Sequence, residues 1–190
     1  MTQTESGLGE EILEVAQELG ALLYGEFVLA SGQTSTYYFD GRLLTLSPKG
    51  ADIVARALLP AIRESGASAV GGPAVGAVPL VTEIAMLSGQ DGGAPVSGFF
   101  VRKEAKDHGA GKAIEGPLAD GSRVAIVDDV CSTAGSLYMA IEAAEAAGHE
   151  VALVACILDR RQGGRDRLLA DGYKFHTVLV SDDEGRVGVA

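Results

Sequence analysis

Apolar positions recur along this chain in two rhythms, one helical and one of strand type, and the two alternate. Leu8, Ile12, Val15, Ala16, Leu19, Leu22 and Leu23 return at helical spacing and predict an amphipathic helix over about 7–24, with Gly25 as its stop. Two short β-prone runs follow, Phe27-Val28-Leu29 and Tyr37-Tyr38-Phe39, around a polar turn at 31–35. Ser47-Pro48 marks the next helix, serine as N-cap and proline at the first helical position. Ile53, Val54, Ala57, Leu58 and Ile62 form its apolar side, and Gly66 ends it. From there strands are expected at 68–70, 96–101, from Val124, at 150–158 and at 173–180. Helices are expected between them at about 78–87, from Ser136 to about 147, and at 165–171. Such alternation predicts an α/β fold, a central parallel sheet covered by helices on both faces. The first 46 residues read as an N-terminal helix and hood segment beside an α/β core at about 47–190, within one domain.

Composition narrows the function. A chain of 190 residues with 47% hydrophobic content can bury a substantial core, and no apolar run is long enough to span a bilayer. The polar, acidic stretch from Met1 to Glu11 is unlike a signal peptide. Two cysteines, Cys131 and Cys156, give no disulfide framework and read as small buried hydrophobes, so a reduced cytoplasmic setting is expected. A net charge of −11 argues against nucleic acid as a partner. It also makes one basic cluster stand out. Arg102, Lys103, Lys106 and Lys112 lie with Glu104, Asp107 and His108 in a glycine-containing stretch without periodicity, an expected loop that brings cations onto a polyanion. A solvated charged hairpin is the plainer reading of the same residues.

The chemistry concentrates in Val124-Ala125-Ile126-Val127-Asp128-Asp129-Val130-Cys131-Ser132-Thr133-Ala134-Gly135-Ser136. A buried strand ends in two carboxylates, where open α/β sheets bind ligands. A small-residue loop then opens a helix, whose N–H groups and hydroxyls suit a phosphate. The carboxylates would repel that phosphate and must serve hydroxyls, a cation or a metal, which points to a phosphorylated sugar. Gly71-Gly72-Pro73-Ala74-Val75-Gly76-Ala77 makes a second strand–loop–helix anion site, without the G-x-G-x-x-G fingerprint. No G-x-x-x-x-G-K-[ST] run accompanies the acid pair, which weakens a nucleotide-triphosphatase reading. His108, His149 and His176 match no zinc spacing, and no G-x-S-x-G elbow occurs.

The thirteen-residue motif resembles the phosphoribosyl-diphosphate (PRPP) binding motif of type I phosphoribosyltransferases. Arg102-Lys103-Glu104-Ala105-Lys106-Asp107-His108-Gly109 is similar to the flexible-loop signature of the orotate phosphoribosyltransferase family. Gly25 to Gly32 with Tyr37-Tyr38-Phe39 resembles that family's hood, and Leu158-Asp159-Arg160 its orotate-binding strand end. The resemblance implies the type I phosphoribosyltransferase fold and a homodimer sharing the 102–112 loop between subunits. It implies transfer of phosphoribose from PRPP to orotate with Mg²⁺, the metal held mainly through PRPP rather than by protein ligands. Asp128 and Asp129 would then hold the ribose hydroxyls. Val130, Cys131, Ser132, Thr133, Ala134, Gly135 and Ser136 would wrap the 5′-phosphate, with Val75 and Gly76 also on PRPP. Arg102, Lys103, Lys106 and His108 would contact the diphosphate. Tyr38, Phe39, Ser132 and Arg160 would hold orotate. Two lysines found in some members are replaced here by Ala30 and Gly76, which shifts more of the charge balance onto Mg²⁺ and the loop. A purine phosphoribosyltransferase and a non-catalytic PRPP-sensing regulator are the competing expectations. With the chain ending just after the last strand, no fused decarboxylase is expected.

Overall fold

A computed structural model describes residues 5–28, 32, 34–103 and 113–190. Helix α1 (Glu5–Glu18) leads into an antiparallel hairpin, β1 (Leu22–Val28) and β2 (Thr34–Phe39). Helices α2 (Gly41–Thr45) and α3 (Pro48–Glu64) follow, then β3 (Ala69–Pro73), α4 (Ala77–Gln90) and β4 (Ser97–Val101). The chain continues through β5 (Ile114–Glu115), β6 (Arg123–Cys131), α5 (Gly135–Ala146), β7 (Glu150–Asp159), α6 (Gly164–Ala170), β8 (Phe175–Ser181) and β9 (Val187–Val189).

Among the described residues, seven strands form the main sheet in the order β5-β4-β3-β6-β7-β8-β9. The five inner strands are parallel, as the alternation predicted, whereas β5 and β9 are antiparallel edges that sequence reading missed. Both are two or three residues long, too short to show a period of their own. Strand order reverses between β3 and β6, because the chain steps outward from β3 to β4 and then returns to the other side. That switch point opens a crevice at the carboxyl ends of β3 and β6.

The continuous apolar run of β6 serves both faces at once. Ala125 and Val127 join a cluster with α1, α3 and α4, while Val124 and Ile126 join a second cluster with α5 and α6. Close approach of β3 to its neighbours needs its glycines: a Cβ on Gly72 would strike the Val127 carbonyl oxygen and the Ala77 side chain. Two N-terminal expectations change. Helix α1 stops at Glu18, with Gly20 at φ +67° as the break, and Leu22 and Leu23 pair with Phe39 and Tyr38 in the hairpin. Gly25 lies inside β1, at the irregularity between Tyr24 and Phe27. Nor is this segment a mere appendage, since Leu8, Ile12, Val15, Ala16, Leu22, Tyr37 and Phe39 belong to the same cluster as α3 and α4.

Candidate active site

The acid pair stands at the switch point. Asp128 and Asp129 are the sixth and seventh residues of β6, so the strand carries them rather than ending before them. Asp128 is only 6% exposed; its Oδ2 accepts from Ser136 Oγ at 2.7 Å and its Oδ1 from the Asp129 N–H at 3.0 Å. Burial, then the charge of Asp129, pushes Asp128 up to about 7. Burial raises Asp129 as well, because neither carboxylate keeps enough water. Ionising both at neutral pH is therefore costly, and the pair is primed for hydroxyl donors or a cation.

Two helix N-termini face this crevice. A methyl group built on Gly76, the residue before α4, would lie 3.5 Å from Asp128 Oδ1 and 3.6 Å from Asp129 Oδ1. Neither Gly76 nor Ala134, the residue before α5, supplies a side-chain cap. Both helix starts thus lack the side-chain acceptor that Ser47 gives α3, where its oxygen takes the Gly50 N–H, although at α4 the Val75 carbonyl takes the Val78 N–H at 3.2 Å and Pro79 has none to offer. Ala134 adopts φ +62°, which turns the Ser132-Thr133-Ala134-Gly135 loop sharply into α5. Such a loop offers an anion the backbone N–H groups and positive dipole end of a twelve-residue helix. Cys131 is wholly buried, so it and Ala134 can serve the cradle only through backbone. Thr133 and Gly135 are exposed, and Val130, Ser132 and Ser136 partly so. Val75 is 76% exposed beside Gly76.

At the end of β7, Arg160 places its guanidinium carbon 5.2 Å from the centre of the Tyr37 ring. Tyr38 points the other way, 38% exposed and tilted against Phe27 with ring centres 5.8 Å apart. The Phe39 ring is packed in the core at 5% exposure, which leaves its backbone for any ligand contact. Alternation along β2 explains the split, with Tyr37 and Phe39 facing inward and Tyr38 outward.

Arg102 reaches toward Glu115 of β5 at 3.8 Å, and Lys103 is exposed. Lys106, His108 and the rest of 104–112, together with Ala30, lie outside the described residues. Sequence reading missed Asp40, Gly41 and Arg42. Asp40 caps α2 and holds Arg42 through two bonds of 2.8 Å, and that pairing lowers its carboxyl. Gly41 packs directly on Asp129, where an added Cβ would come within 2.5 Å of Asp129 Cβ. The spacing of Asp40 as a cap before a short apolar turn was the available signal.

An acid pair flanked by two helix ends without side-chain caps at a switch point makes a site that can pair an anion with hydroxyl groups or a cation. A family model described as the phosphoribosyl transferase domain matches residues 44–183. The chain is 44% identical over 174 residues to the orotate phosphoribosyltransferase of Rhodopirellula baltica, covering 88% of this chain and 90% of that protein. A solved orotate phosphoribosyltransferase from Mycobacterium tuberculosis superposes with a TM-score of 0.81 at 33% identity, covering 94% of this chain and 99% of that one. The PRPP complex of the same M. tuberculosis enzyme gives 0.75 at 30% identity, covering 91% and 96%. The chain belongs to the orotate phosphoribosyltransferase family and has the type I phosphoribosyltransferase fold.

Proposed function

We propose that this protein transfers the 5-phosphoribosyl group of PRPP to orotate, giving orotidine 5′-monophosphate and pyrophosphate in pyrimidine biosynthesis. The observation that carries the reading is the juxtaposition of Asp128 and Asp129 with the open N-termini of α4 and α5. The helix ends take the phosphate groups, the α5 loop the 5′-phosphate and the Gly76 side the diphosphate. The acid pair takes the ribose hydroxyls and offsets positive charge that develops on the sugar as the diphosphate departs. Arg160, backed by Tyr37, takes the orotate carboxylate, and Tyr38 borders the ring.

No covalent nucleophile is needed. Orotate N1 is readily deprotonated and attacks C1 of the ribose as the bond to the diphosphate breaks. Catalysis then rests on positioning and on charge stabilisation at the leaving group by Arg102, Lys103, Lys106 and His108. Loop closure over the site would keep water from hydrolysing PRPP. Among the described residues no three acidic, histidine or cysteine side chains gather to hold a metal. One buried and one partly buried carboxylate beside a glycine do fit Mg²⁺ bound by phosphates with one or two protein oxygens. When bound, Mg²⁺ neutralises diphosphate charge.

The protein acts as a homodimer sharing the 102–112 loop and works in the cytoplasm as one domain. In support of that setting, both cysteines are free and buried, and no helix among the described residues is long and apolar enough to cross a membrane. A spectrophotometric assay of orotate consumption with PRPP and Mg²⁺, run beside adenine, hypoxanthine and xanthine, tests the reading. Consumption of orotate alone is expected. Preference for a purine would transfer the reading to a purine enzyme, and no transfer to any base would favour a PRPP-binding regulator.

A further inference from the structure

The turn after β7 holds two buried polar atoms without hydrogen-bond partners among the described residues, Asp159 Oδ2 and Arg160 Nε. Asp159 is wholly buried, and its Oδ1 accepts the Arg161 N–H at 2.9 Å. Arg161 sits at φ +52°, a conformation that non-glycine residues adopt only when their surroundings hold them there. On the other side, the Arg160 N–H donates to the Cys131 carbonyl at 2.9 Å, tying the turn to the end of β6. Arg160 is thus fixed at its own nitrogen by β6 and just beyond by the Asp159 carboxylate. Its side chain leaves this fixed backbone and crosses to the Tyr37 ring of the hairpin.

We propose that Asp159 is a positioning residue: its carboxylate holds the left-handed turn at Arg161 and so aims the Arg160 guanidinium at the bound base. Burial of a carboxylate with one oxygen unpaired is costly, and an apolar side chain would suit the end of a buried strand better. The compensating gain lies in the direction it gives Arg160. A long, flexible arginine aimed in advance loses less freedom when the anionic base arrives, so the effect falls on base binding rather than on PRPP. The proposal rests on the assignment of Arg160 to the base.

Asp159→Ala and Asp159→Asn, each alone and combined with Arg160→Ala, decide it. Asp159→Ala is expected to raise KM for orotate about tenfold, as loss of one buried hydrogen bond allows, with KM for PRPP and kcat nearly unchanged. Asp159→Asn keeps an acceptor for the Arg161 N–H and is expected to restore orotate KM to near the parent value. In the Arg160→Ala background, Asp159→Ala should add nothing to orotate KM. Equal rises in both KM values, additive effects in the double variant, or no rescue by Asn would overturn the proposal. Asp159→Leu, which fills the buried volume without an acceptor, takes the place of Ala if that variant does not fold. The Arg160 Nε–H resonance, assigned with Arg160→Lys, reads the aim without substrate: it should move in the Ala or Leu variant and hold its place in Asn. A parent enzyme that ignores orotate would refute the base assignment, while an unmoved resonance would refute the positioning role.

Discussion

The N-terminus of α3 and those of α4 and α5 are built in opposite ways. Ser47 closes α3 with a side-chain cap and Pro48 starts the helix, the arrangement that favours stability. Gly76 and Ala134 leave α4 and α5 without side-chain caps, beside two carboxylates, one buried and one partly so, whose charged forms are disfavoured. Where the chain only has to fold, local groups satisfy one another. Where it has to bind, it leaves helix ends without side-chain caps and raises the acids beside them, for a ligand to complete. Stability and function are thus written at the same end of different helices.

Gly76→Asp attacks the open end most directly, adding a third carboxylate beside Asp128 and Asp129. Like-charge juxtaposition of this kind costs several kcal/mol, so PRPP affinity by calorimetry should fall on the order of 10³-fold. Removing a cation from the proposed leaving-group side, Lys103→Ala, should lower kcat about 10²-fold with thermal stability unchanged. Turnover equal to the parent's would detach the loop from catalysis.

Asp128→Asn separates the two demands. Its carboxyl is raised on folding, so the folded chain holds a proton that the unfolded chain releases between about pH 4 and 7. Stability is therefore lost as pH rises through that window, and the full cost is present above it. Asparagine should raise the thermal midpoint at pH 8, by about 1–3 kcal/mol of stability, and leave it unchanged near pH 4. Turnover should drop at least about tenfold, since the proposed ribose acceptor becomes a weaker neutral one. A variant that loses activity without gaining stability at pH 8 would contradict the strained state of the pair.

Ser47→Ala is the counterpart at the closed end. It should cost about 1 kcal/mol of stability in denaturant titration and leave KM for both substrates unchanged.

Much of this contrast was legible in the chain because its signals are local. Ser47-Pro48 announces a capped helix, and four apolar residues before Asp128-Asp129 announce a buried strand with a polar end. Other features depended on contacts between distant segments. Leu22 and Leu23 fit the helical rhythm of α1, yet pairing with Phe39 and Tyr38 draws them into a strand. Which of Tyr37, Tyr38 and Phe39 turns inward is a matter of phase that three successive aromatics do not display. Gly41 looks like an ordinary turn glycine until Asp129 is found against it. Edge strands β5 and β9 exist through their partners β4 and β8 rather than through any pattern of their own.

Titration calorimetry of PRPP with Mg²⁺ into the parent protein and Gly76→Asp tests the central claim, that the uncapped helix ends beside the acid pair hold the phosphoribosyl donor. Saturable binding of one PRPP per chain in the parent, largely abolished in Gly76→Asp with the fold intact by circular dichroism, is the predicted result. Equal PRPP affinity in the two proteins would contradict it.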